Sequence, residues 1–154
     1  MELAADASFF IALNRDEAKT LFGLRDPDLA WEHMASLQAN KQDTDELATI
    51  DGTQVFLQVL GCGETDPALA PLASMLTSGR PLCDEPTRKV TVIRPDVTQH
   101  VALAAANLST ETWNAWCSEH GADPTSTWEQ LETLRKVFAA AASGQGCVVF
   151  TAGG

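Results

Sequence analysis

The residues of this chain that could do chemistry are few: four cysteines (Cys62, Cys83, Cys117 and Cys147), three histidines (His33, His100 and His120) and a scatter of carboxylates. Nucleophilic catalysis needs a base held beside the nucleophile, and no histidine here stands in a known pattern with a nucleophile or an acid. Cys117 and His120 lie three residues apart on an expected helix and can reach one metal ion. A zinc site needs three or four ligands, however, and no second pair is spaced to supply the rest. The cysteines form neither a Cys-x-x-Cys pair nor a dense framework, so reduced, metal-free thiols and no cofactor are expected. The run Gly61-Cys62-Gly63-Glu64-Thr65-Asp66 begins like a phosphate-binding loop but lacks the third glycine, the Lys-Ser/Thr pair and a nearby base, and reads better as a turn. Trp113 and Trp116 fall at helical spacing in apolar stripes, where core packing explains them better than a ligand platform does. No catalytic residue is therefore assigned. An enzyme remains open only as a small hydrolase whose Cys/His or carboxylate site is assembled by the fold.

Composition narrows the classes further. At 154 residues the chain fits one globular domain spanning 1–154, large enough to bury a core without metal or disulfide. Its 21 acids against 10 bases give a formal charge of −11. That balance argues against nucleic acid or an anionic membrane, since neither would release counterions to a basic patch; the scattered acids read first as a solvated surface that aids solubility, with recognition of a basic protein partner as the other reading. Apolar runs are far shorter than the roughly 20 residues of a membrane span. Met1-Glu2-Leu3-Ala4-Ala5-Asp6 lacks the positive, then apolar, pattern of a secretory signal, so a cytoplasmic location is expected.

The elements that must position these residues are legible from caps and periodicity. Ser8 to Leu13 reads as a strand, and Asn14 with Glu17 makes a variant capping box that starts a helix from Arg15 to Phe22. Asp26-Pro27, Asp66-Pro67 and Asp123-Pro124 each place a capping acid before proline at the first helical position, and Pro95 opens a further helix through Leu108. Ser109 caps the helix carrying Trp113, Trp116, Cys117 and His120, which Gly121 ends. Lys89 to Arg94 alternates as a short strand or an extended connection, and Cys147 to Thr151 is a buried strand after the last helix. Residues 40–48 read as a loop leading into a new element, and Arg80 to Thr87 as a loop. Thr53 to Leu60 is ambiguous: β-branched content slightly favours strand, while Asp51 is placed to cap a short helix. The fold class expected is α+β, with six or seven helices on a small sheet whose first and last strands are neighbours or near neighbours.

Three stretches carry a resemblance: Ser8 to Glu17, then Pro71 to Leu76 with Gly79-Arg80-Pro81-Leu82, and Leu131 to Phe150. In order and spacing they resemble the YfbM-like family of bacterial proteins of unknown function. The resemblance implies an α+β fold and a helix over Asp51 to Leu60, against local propensity. It also implies that Gln54 and Gln58 occupy positions where the family carries a Trp and, four residues later, a His. As i and i+4 on a helix the two amides would share one face, which makes them the candidate binding residues. The family brings no established activity. The functional expectation is an acidic, cytoplasmic protein-interaction module of the kind an inhibitor or immunity protein would be, with the hydrolase as the alternative.

Overall fold

The computed structural model describes residues 8–153. Residues 1–7, which include the opening hexapeptide, and Gly154 lie outside them. Chain order is β1 (Ser8–Leu13), α1 (Arg15–Phe22), α2 (Pro27–Asn40), β2 (Leu47–Ile50), α3 (Thr53–Gly61), a 3-10 turn (Cys62–Thr65), α4 (Ala70–Ser74), β3 (Arg80–Asp84), β4 (Arg88–Ile93), α5 (Pro95–Asn107), α6 (Thr110–His120), α7 (Pro124–Ser143) and β5 (Cys147–Gly153). The strands form one antiparallel sheet in the order β2-β1-β5-β4-β3. The first and last strands are thus direct neighbours, with Phe10 opposite Phe150 and Leu13 opposite Cys147.

Both faces of that sheet are covered. Phe10, Ala12, Ile50, Val148 and Phe150 point to one side, where α3 to α7 pack. Ile11, Leu13, Val90, Val92 and Val149 point to the other, against Ala18 and Leu21 of α1 and Ala30 and Met34 of α2. Successive strand residues face opposite ways, so a strand buried on both faces must be apolar throughout. This is why β1 and β5 read as unbroken hydrophobic runs. Gly146 is required where β5 begins, because a side chain there would overlap the Leu13 carbonyl of β1.

The caps form as expected at α1, where Asn14 N–H donates to Glu17 Oε1 at 3.0 Å and Glu17 N–H donates to Asn14 Oδ1 at 2.8 Å. Four expectations need correction. Residues 53–61 are helical, as the resemblance implied and propensity did not, yet Asp51 is not the cap: the position is held by Gly52 in the left-handed region, with φ 63°. Asp66 starts no long helix; it accepts from Ala68 N–H in a local turn, and α4 runs only from Ala70 to Ser74. The polar stretch 40–48 runs into β2, and Arg80 to Thr87 contains β3. Both are short strands at the two ends of the sheet, and Pro81 is tolerated there because an outer strand has a side with no ladder to serve.

Candidate functional site

Two grooves and one side-chain cluster stand out. The larger groove, about 750 Å³, opens between α1 and the turn before β5 and is lined by Asn14, Arg15, Asp16, Lys19, Pro95 and Cys147, among others. Its charges are mixed, and the helix-start N–H of Glu17 that could serve a ligand already bonds to Asn14. Cys147 itself is fully buried, and that burial pushes its thiol up to about 11, which keeps it protonated and unreactive.

The second groove, about 640 Å³, runs beside β2. One wall is the segment carrying Gln42, Asp43, Thr44, Leu47, Thr49 and Asp51; the other is one face of α7, carrying Ser126, Glu129, Gln130 and Thr133 at helical spacing. Its charged lining residues, Asp43, Asp51 and Glu129, are all acidic, and all three are exposed. Gln130 Oε1 is buried with no hydrogen-bond partner among the described residues, an acceptor left open. Among the described residues β2 pairs only with β1, so its other edge also offers backbone donors and acceptors.

The cluster lies at the far end of the helical layer. Phe56 of α3 packs on Trp113 of α6 with ring centroids 5.7 Å apart, and Trp113 packs on Trp116 at 6.2 Å. This apolar contact aligns the ends of the two helices, so that Cys62 approaches Glu119 and His120, whose ligand atoms all lie within 4.8 Å of one another. The Cys62 Sγ to Glu119 Oε2 distance is 3.4 Å. Partial burial first, then the hydrogen bond and the charge of Glu119, push the Cys62 thiol up, so it is not held as a thiolate. The sequence pair Cys117 and His120 is not brought together in this way: Cys117 is buried with its Sγ 3.4 Å from Thr127 Oγ1, whereas His120 is exposed.

The comparisons with known proteins bear on this architecture. No protein-family model and no curated protein matches the sequence. Among solved structures, a crystal structure from Escherichia coli superposes with a TM-score of 0.64 at 12% identity, covering 95% of this chain and 99% of that one. The fold is that of YfbM. YfbM is described as a protein of unknown function, and at this identity the likeness speaks for the fold alone.

The α+β fold implied by resemblance to the YfbM-like family, including the helix over 53–61, is therefore the fold observed. Gln54 and Gln58, the candidate binding residues, are both exposed on the outer side of α3, while Phe56, Val59 and Leu60 are buried. Neither amide lines either large groove. The remaining histidines do not converge: His100 is exposed, and His33 is half-buried with Nε2 unpaired among the described residues. Trp113 and Trp116 are core residues, as their spacing suggested, whereas Trp31 and Trp128 are half-buried beneath Arg88 and Arg135.

Proposed function

We propose that the protein is an acidic, cytoplasmic interaction module that receives an extended basic segment of a partner protein, in the manner of an inhibitor or immunity protein. The observation that carries this reading is the groove beside β2: Asp43, Asp51 and Glu129 supply negative charge, and the outer edge of β2 supplies a strand ladder. An extended chain added to a sheet edge gains affinity from backbone hydrogen bonds, and lysines or arginines flanking it would meet the three carboxylates. The −11 charge of the whole chain acts in the same direction at longer range, by steering a cationic partner.

The hydrolase alternative has one observation in its favour, the meeting of Cys62 with Glu119 and His120. A carboxylate against a thiol works against nucleophile activation, since it disfavours the thiolate that must attack. The binding reading is therefore preferred.

Affinity capture from the source cell's lysate tests it. The wild-type chain should retain a basic protein that is released as ionic strength rises toward about 1 M, where the screening length falls to about 3 Å. The variant Asp43→Lys/Asp51→Lys/Glu129→Lys should fold and retain none. Gln58→Leu, on an exposed face away from the groove, should capture as the wild type does. Equal capture by the charge-reversed variant would overturn the proposal, and loss of capture with Gln58→Leu at unchanged stability would move the binding face to α3.

A further inference from the structure

We propose that Cys62, Glu119 and His120 form a binding site for a single divalent metal ion of the zinc class. The site goes beyond the proposed partner surface and is independent of it, since it is built at the ends of α3 and α6 rather than beside β2.

Thiolate, imidazole and carboxylate together are the donors that a borderline-soft divalent ion takes, whereas calcium or magnesium would call for oxygen alone. Ligands at about 2.0–2.3 Å from a tetrahedral ion stand roughly 3.3–3.8 Å from each other. The Cys62 Sγ to Glu119 Oε2 separation of 3.4 Å already has that length, and the histidine nitrogen lies within 4.8 Å of both. Side-chain rotations are what the set needs to close, and Glu119 and His120 are exposed. Neighbouring residues of a helix point about 100° apart, so the two α6 ligands diverge and the thiol from the 3-10 turn after α3 enters between them. Three protein ligands leave the fourth position to water or to a donor from another molecule.

Placement of the thiol is built into the chain rather than left to a flexible loop. Gly63 lies in the 3-10 turn that follows α3, where a Cβ would come within 2.9 Å of the Leu69 carbonyl and 3.1 Å of the Trp116 ring. Only a residue without a side chain lets this turn seat against α6, and its seating holds Cys62 opposite the last turn of that helix. Helix α6 also ends at this point, at His120 before the left-handed Gly121, while α3 runs on without a break into the 3-10 turn that carries Cys62. A helix C-terminus directs partial negative charge there, which favours a cation. The glycine-flanked cysteine that makes a poor phosphate loop is thereby accounted for.

The test uses the full chain with zinc alone and cobalt alone as probes. The wild type should take up one equivalent of zinc, seen by intact mass under native conditions and by competition with a chelating dye, and zinc should protect one thiol from alkylation. Cobalt should give the near-ultraviolet charge-transfer band of a thiolate ligand. Cys62→Ser should abolish the band and weaken zinc binding at least about a hundredfold, beyond the tenfold to hundredfold loss typical when only a supporting group is removed. His120→Ala should weaken binding comparably, and Glu119→Gln by about tenfold or more. All three positions are half-buried or exposed, so thermal melts should show the metal-free variants folded. A wild type that binds neither ion at micromolar concentration, or a Cys62→Ser variant that keeps both band and affinity, would overturn the proposal.

Discussion

Lys41 joins three segments that are remote in sequence. Its buried ammonium donates to the Ala12 carbonyl of β1 at 2.6 Å, to Glu17 of α1 at 2.9 Å and to Glu46 ahead of β2 at 2.6 Å. Glu17 is also the acid of the α1 capping box, so one carboxylate serves both helix start and cation. Hydrogen bonds to charged groups contribute about 1.5–3 kcal/mol, and the carboxylates left behind can be rehydrated because they remain partly exposed. Lys41→Ala should therefore cost about 2 kcal/mol, read as a lowered urea midpoint with unchanged slope. Cys147 gives a pH signature of its own. Burial raises its folded-state value to about 11 from an ordinary 9.0, so the unfolded chain releases the proton first. The stabilisation is complete below about pH 9 and is lost as pH rises to about 11, a loss on the order of 2–3 kcal/mol. Urea unfolding across that window should show a steeper decline for the wild type than for Cys147→Ala.

At the scale of elements, what was legible in the sequence was local and what escaped it was not. The Asn14–Glu17 capping box, Pro95 and Asp123-Pro124 all declare themselves within four residues, and each starts its helix where expected. Helix α3 sits between the two cases. Phe56, Val59 and Leu60 are buried and Gln54 and Gln58 exposed, which is a helical period, but its start depends on the backbone conformation of Gly52 and not on the side chain of Asp51. Over so few residues β-branched content competes on equal terms with that period, and the resemblance decided correctly. Strand β2, only four residues long, follows a polar run that masks its alternation, and β3 carries a proline that sequence rules assign to loops. The candidate sites were the least legible. Cys62 and Glu119 are 57 positions apart, and the groove joins residues near 45 with residues near 130, so spacing along the chain holds no trace of either. The composition did carry one usable signal, an acid excess that any binding face would share.

For the whole molecule, the decisive feature is that β5 occupies the middle of the sheet, between β1 and β4. Phe150 of β5 packs on Phe10 with ring centroids 5.0 Å apart, and Phe10 in turn meets Phe138 of α7 at 6.3 Å. A chain ending before Cys147 is left with two separate pairs, β1–β2 and β3–β4, neither of which is stable alone in water. Such a truncation should show no cooperative thermal transition by circular dichroism, and a peptide of residues 147–153 added in excess should not restore one. The same placement governs the timing of folding. During synthesis β1 and β4 leave the ribosome with their inner edges unpaired and wait, through α5, α6 and α7, for the strand that fits between them. Contacts of such long separation form slowly, and bare strand edges recruit other chains in the meantime. A nascent chain of this protein is thus sticky until nearly its last strand has emerged, which makes it a client for chaperones that shield exposed strands and gives a premature stop codon a product that aggregates rather than one that is merely weak.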